Sequence, residues 1–262
     1  MSGLVLRRAL QRRIVPAIFA RSYHPASSEY LKPTKVKPLT YTMDSLEAKL
    51  LSHCLEHNVP QLGFTEGAIT QALRDLNQSP SVLSALGASN SPSFVHGSLA
   101  VMELFKFDLV SKRYNLTSAL ENAETLPSLE TLLLKRLEMD IPIGKQLYDQ
   151  FAFLSMPSGY QLDVALPELA RLADDMIYFS NEKDHTDMAW YAKRFGVAYS
   201  FITSKLYMAQ DTSDGYSKTM DFAREKLYDV MKLGDYYNNV EEYLWFCLMT
   251  SANLFKAELS KK

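Results

Sequence analysis

Three features of this 262-residue sequence predict an all-α protein. From Met43 onward apolar residues recur at three- and four-residue steps, sustained polar/apolar alternation is almost absent, and only 10 glycines interrupt the pattern. An apolar content of 47% supplies ample material for a core. The roughly 220 residues beyond position 42 fit one domain, or one domain with a small appendage.

Residues 1–23 carry Arg7, Arg8, Arg12, Arg13 and Arg21, with no acid before Glu29 and with Leu, Val, Ile and Phe between the arginines. An acid-free, Arg-rich amphipathic leader is the pattern of a mitochondrial transit peptide, and Gln11-Arg12-Arg13 breaks the unbroken apolar run that a secretory signal needs. Arg21-Ser22-Tyr23 is a suitable cleavage context. Removing five arginines and no acids takes the net charge from −2 to −7, so the mature part is a poor general ligand for nucleic acid. Residues 24–42 hold Pro25, Pro33 and Pro38 among Ser, Thr and Lys without apolar periodicity, and read as an extended linker.

Residues 43–90 make three short helices. Asp44 is expected to cap the first, through about His57, with Leu46, Leu50 and Leu51 on its apolar side. Thr65 caps the second, which carries Ile69, Ala72, Leu73 and Leu76, and Ser79-Pro80 opens a third ending near Gly87. The unit resembles the N-terminal helix-turn-helix of the tetracycline-repressor class. A reader helix lies in the major groove, yet Ser79 to Gly87 offers no Arg, Lys, Asn or Gln for base contacts. The unit is expected to keep the scaffold and to have lost DNA binding. His53-Cys54-Leu55-Glu56-His57 matches the spacing of inverted zinc proteases, but nothing downstream is placed distinctively as a third ligand, and no metal is expected. Cys54 and Cys247 have no zinc or redox spacing and read as reduced, buried small hydrophobes.

Residues 91–234 form the main helical domain. Helices are expected over about 92–114 and 129–140, with Pro157 and Pro167 punctuating the next segments. Thr186 or Asp187 then caps a long helix to about Gln210, on which Tyr191, Phe195, Ala198, Ile202, Leu206 and Ala209 form one apolar stripe. Tyr216, Met220, Ala223, Leu227 and Val230 mark another helix, with Gly234 as its C-cap. In 235–262, Tyr243, Leu244, Trp245, Leu248 and Phe255 lie on an amphipathic helix. Such a helix either rests in a membrane interface or docks on the domain core. No apolar run reaches the ~20 residues that span a bilayer. No phosphate loop, nucleophile elbow or dinucleotide fingerprint occurs, so no enzyme activity is expected.

The most distinctive run is Ala173-Asp174-Asp175-Met176 followed by Asp187-Met188-Ala189-Trp190-Tyr191-Ala192-Lys193-Arg194. Trp190 and Tyr191 are about 100° apart on a helix, so both cannot lie in one core stripe. With Tyr191 inward, Trp190 turns toward Arg194, a pairing typical of binding hot spots and also of a Trp covered by an Arg stem. This run resembles the mitochondrial accessory lipid-binding family of coenzyme Q (ubiquinone) biosynthesis, which has a tetracycline-repressor-like fold. The likeness covers roughly Asp44 to the C-terminus and is strongest over 129–234. It departs from the family at Ile177, where a Trp is frequent, and in a connecting turn one residue longer.

The resemblance implies a non-enzymatic factor, peripheral on the matrix side of the mitochondrial inner membrane. It would bind a prenylated quinone intermediate, or another isoprenoid or phospholipid, and present it to the demethoxyubiquinone hydroxylase within the ubiquinone biosynthetic complex. It also implies a homodimer formed through the last two core helices, a partner patch of Asp174, Asp175, Met176, Asp187, Trp190, Tyr191 and Arg194, and no cofactor. Phe179, Phe195, Tyr199, Ile202 and Leu206 are the candidates to line a lipid pocket, although stripes of this kind also build ordinary cores. At about 0.8 kcal/mol per buried CH₂, a tail of some thirty carbons is held out of water by roughly 20 kcal/mol, so such a ligand must be taken directly from the bilayer. A ligand-responsive DNA regulator and a protein-only assembly scaffold are the competing readings.

Overall fold

The computed structural model describes residues 36–90, 97–118, 120, 125–182 and 188–232, with residues 188–190 as backbone only. Every regular element among them is helical. The expected transit peptide, most of the expected linker, Asp187, the side chain of Trp190, Gly234, Cys247 and the expected amphipathic helix of 235–262 lie outside the described residues.

Helix α1 (Leu46–His53) starts at Ser45, not Asp44, because the Ser45 hydroxyl accepts from the Ala48 amide at 3.1 Å. A π-helical turn, Cys54–Asn58, carries the chain into α2 (Val59–Leu62), which ends at Gly63 with φ +71. Thr65 caps α3 (Glu66–Asp75) as expected, accepting from Ala68 at 3.2 Å. The third helix of this unit shrinks to α4 (Val82–Ala85), none of whose residues is buried.

Helix α5 (Leu99–Thr117) begins behind Ser98. Next come α6 (Leu129–Glu138), a 3₁₀ stretch (Ile141–Gln146) and α7 (Leu147–Ser155). A second π turn (Gln161–Ala165) leads into α8 (Leu166–Tyr178). The chain closes with α9 (Met188–Met208), a short 3₁₀ turn (Asp214–Tyr216) and α10 (217–232). Both π turns lie just ahead of a proline, Pro60 and Pro167. Proline has no N–H for the carbonyl four residues back, and a widened turn accommodates that loss. Pro167 therefore sits in the first turn of α8 rather than separating two segments.

The frame is organised around α5, which is buried on every side, as its charged residues Glu103, Lys106, Asp108 and Arg113 show. Each of these is paired. Lys106 meets Glu103 at 2.7 Å, Lys112 meets Asp108 at 2.6 Å, and Arg113 reaches Glu168 at 3.0 Å and Asp175 at 2.9 Å on α8. One apolar cluster joins α1, α3 and α5 to Leu147, Tyr160 and Met208. The second gathers α6, α8, α9 and α10 around Leu133, Met176, Val197 and Ala223.

Two expected boundaries change. Val36 and Leu39 are buried in the first cluster and the Lys37 carbonyl accepts from Arg113, so the stretch 36–42 is packed rather than a free linker. The same cluster runs from Val36 to Met208, so the unit at 43–90 shares its core with later helices.

Candidate functional site

The first candidate region is the α8–α9 junction. Asp174 accepts from Arg194 Nε at 2.5 Å and ties the end of α8 to the start of α9. Asp175 points the other way, accepts from Arg113 and is buried, and Met176 is 0% exposed within the second cluster. The expected surface patch is therefore corrected at Asp175 and Met176. Consecutive helix positions diverge by about 100°, and these two face the core while Asp174 stays at the edge. Tyr191, expected inward, is 64% exposed. Trp190 lies in the first turn of α9, one helical turn before Arg194.

Of the apolar stripe on α9, which suits a dimer interface as well as packing within the chain, Tyr191, Phe195 and Leu206 lie outside while Ala198, Ile202 and Ala209 pack on the clusters. Phe195 is 74% exposed, and Tyr199 and Leu206 are more than two-fifths exposed, whereas Val197, Ser200, Phe201, Ser204, Lys205 and Met208 face inward. Alongside the burial of Val197, Phe201 and Met208, an ion cluster beneath α9 fixes this facing. Asp140 receives Lys112 at 2.7 Å, Arg136 at 2.9 Å and Lys205 at 3.1 Å. That interaction draws the Lys205 face of the helix toward the core and turns the aromatic row to the surface. Sequence periodicity ranks Lys and Ser as outward residues and had no signal for this arrangement.

The second candidate region is a cavity of about 260 Å³ bounded by α5 through α9. Its walls are apolar, from Leu109, Phe151, Leu154, Leu169, Leu172, Phe201 and Ile202, and it reaches the surface beside Ser155 and Leu166. Its floor is polar: Arg136, Gln150, Glu168 and Lys205. Of the five candidate pocket residues only Ile202 lines it. Phe179 is packed in the second cluster edge-on to Tyr178, Phe195, Tyr199 and Leu206 are exposed on α9, and Ile202 is half-buried against the second cluster. Gln150 donates to Asp108 at 2.7 Å, and the Arg136 guanidinium stacks on the Phe201 ring at 5.1 Å. Burial pulls the Lys205 ammonium down to about 8, against the opposing pull of Asp140. Asp140 is itself buried, which opposes its charge, but Arg136, Lys112 and Lys205 outweigh that and hold it well below the usual carboxylate range.

In the H-x-x-E-H run the two imidazoles stack on each other at 4.5 Å, with His53 Nε2 3.6 Å from Asp75. Among the described residues no group of three or more His, Cys, Asp and Glu is placed to hold a metal. Cys54 is fully buried and its thiol is pushed up to about 12 by that burial, fitting an inert small hydrophobe.

Fold and site together define an all-α protein with an apolar-walled, polar-floored cavity beneath an exposed aromatic helix face. The COQ9 family model matches residues 162–234, which include α8, α9 and α10. The mitochondrial ubiquinone biosynthesis protein COQ9 of Saccharomyces cerevisiae is 53% identical over 245 residues, covering 92% of this chain and 94% of that one. The Eremothecium gossypii protein of the same name is 44% identical over 92% of this chain and 97% of its own length. The Schizosaccharomyces pombe protein is 29% identical over 97% and 94%. The chain belongs to the COQ9 family, and this membership places it in mitochondrial ubiquinone biosynthesis.

Proposed function

We propose that this chain is a non-enzymatic lipid-binding factor that holds a prenylated quinone intermediate at the matrix face of the mitochondrial inner membrane and presents it to the demethoxyubiquinone hydroxylase. The observation that carries the reading is the cavity, which has apolar walls, a buried polar floor and Ile202 of α9 in its lining. A cavity of 150 Å³ accepts benzene, so about 260 Å³ holds one substituted ring, while a thirty-carbon tail needs roughly 750 Å³ on the same scale. The ring sits inside and most of the tail runs out along the exposed aromatics of α9, covered by a second copy, the hydroxylase or the bilayer. Tyr191 and the Asp174–Arg194 pair stand at the N-terminal end of that face, beside the Trp190 position, and supply the partner patch. Among the described residues no helix is long and apolar enough to cross a membrane. The amphipathic segment of 235–262 is the proposed membrane contact.

The DNA-regulator reading is not favoured, because its reader element is reduced to four residues, Val82–Ala85, without a cation or a side-chain amide. The test is native mass spectrometry with lipid extraction on the mature chain purified from cells that make isoprenoid quinones. A co-purifying prenylated quinone supports the reading. An empty chain that still binds the hydroxylase replaces it with a protein-only scaffold.

A further inference from the structure

The cavity floor has a charge imbalance. Two acids, Asp108 and Asp140, face three bases, Lys112, Arg136 and Lys205, in one connected cluster. The other charged residue of the lining, Glu168, belongs to a separate group that balances itself: Glu168 and Asp175 against Arg113 and Arg171. One positive charge is thus left over in an interior where Arg136 and Lys205 are each at most 3% exposed. Two polar atoms of the same floor, Arg136 Nε and Gln150 Oε1, are buried with no hydrogen-bond partner. Native interiors seldom leave such atoms unsatisfied unless something else reaches them. A purely apolar occupant would leave both atoms and the excess charge uncompensated.

We propose that the floor is a head-group site for a singly charged acidic oxygen, a carboxylate or phenolate, carried on an apolar body, with Lys205 and Arg136 donating to it. Gln150 spends its amide hydrogen on Asp108, which leaves its carbonyl oxygen to accept a hydroxyl hydrogen from the same head group. The apolar walls then cover the ring and the first carbons beyond it. This inference rests on the lipid-holding reading and narrows its ligand from a neutral quinone to a precursor or reduced ring that carries an acidic oxygen: among amphiphiles of equal size, the one with an acidic head is selected.

Three probes test it on the mature full-length chain by isothermal titration calorimetry: 4-hexylbenzoate, its neutral methyl ester, and decanoate. The expected result is that 4-hexylbenzoate binds at least about tenfold more tightly than the ester, in line with one charge-assisted hydrogen bond in a buried site. Decanoate distinguishes a fatty-acid-like from an aryl occupant, and selection of either carboxylate over the ester supports the charged floor. Lys205→Met is expected to remove most of the preference while changing ester binding less than about threefold. Ile202→Trp, which fills the cavity, is expected to abolish binding of all three.

A measurement independent of any variant is the pH dependence. The groups facing Lys205 are Asp140, Asp108, Arg136 and Lys112, with Glu168, Arg113, Arg171 and Asp175 behind them. Carboxylate affinity should therefore fall as pH rises above about 8 while ester affinity stays level. Equal binding of carboxylate and ester overturns the head-group site and leaves the lipid-holding reading in place. Binding that survives Ile202→Trp puts the ligand elsewhere and also overturns the site. Failure of every probe to bind overturns both.

Discussion

Replacing Asp140 by asparagine and Lys205 by methionine should have opposite effects on stability, although the two side chains form one ion pair of 3.1 Å. Asp140 is the common acid of the cluster. In Asp140→Asn, Lys112 keeps Asp108 at 2.6 Å, but Arg136 and Lys205 lose their acid partner while fully buried. Breaking a buried pair in this way costs about 3–5 kcal/mol. For a domain of this size that is a fall of roughly 6–20 °C in Tm. Lys205→Met removes instead the surplus base, and Asp140 keeps both Lys112 and Arg136. Because burial lowers the Lys205 pKa from 10.5 to about 8, keeping it charged in the folded state at neutral pH costs on the order of 3 kcal/mol. The methionine variant should accordingly be neutral or up to about 3 kcal/mol more stable. Between about pH 8 and 10.5 the unfolded chain binds more protons at this lysine than the folded one, so the parent gains stability there as pH rises and its deficit relative to Lys205→Met closes. Urea denaturation of all three proteins at pH 7 and pH 9.5 measures these differences. A Lys205→Met loss as large as that of Asp140→Asn, or a gap that widens with pH, would refute the charge count.

Tyr191→Glu with Phe195→Glu changes two exposed side chains and should alter stability by no more than about 0.5 kcal/mol each. Binding to the hydroxylase, read by surface plasmon resonance, should weaken at least about tenfold; unchanged binding would remove the α9 face from the partner site. At Gly196 an added Cβ would stand 2.5 Å from Val230 Cγ1, and Val is stiff about χ1 in a helix. Gly196→Ala should therefore destabilise by about 1–3 kcal/mol, with most of the loss restored in the double variant carrying Val230→Ala. Chemical denaturation of the full cycle checks this, and strictly additive effects would contradict α9–α10 contact at that point. Deleting residues 235–262 should reduce flotation with cardiolipin-containing liposomes, and equal flotation would return that segment to a role inside the protein.

The helices were legible because local rules govern them. Thr65 capped where it should, Leu129 opened α6, and Ala223 and Leu227 of the expected α10 stripe are buried. The Asp174–Arg194 neighbourhood was legible from an unusual run of residues and from the family resemblance. What escaped was the direction faced by α9 and by the end of α8. Periodicity on α9 gives a clean apolar row, and its Tyr191, Phe195 and Leu206 are left outside, while the face bearing Val197, Phe201 and Met208 turns inward and carries Lys205 to Asp140 on a different part of the chain. Lys112, the Arg136–Asp140 pair and Lys205 lie far apart in sequence, and no local pattern announces that the three segments will meet. Asp175 and Met176 were misplaced for a related reason. Arg113, which donates to Asp175, sits 62 residues away on a helix buried all round.

The buried charge beneath α9 also forms the floor of the cavity, so in the proposed head-group site folding and ligand selection would draw on the same residues. Arg136 and Lys205 cannot be made apolar without altering what the cavity accepts, and Asp140 cannot be removed without losing the frame that holds them. A protein arranged in this way carries an internal strain that an acidic head group would relieve, since the ligand supplies the negative charge the chain itself omits. Binding to the folded state alone raises stability by RT ln(1 + [L]/Kd), about 2.7 kcal/mol at a hundredfold excess over Kd. A carboxylate probe should therefore raise the Tm of the parent more than that of Lys205→Met at equal ligand concentration. The unliganded Lys205→Met chain should itself be at least as stable as the unliganded parent, because the surplus charge has been removed by mutation instead of by ligand. Stabilisation of both proteins to the same extent would mean that the imbalance is solvated within the cavity and exerts no selection.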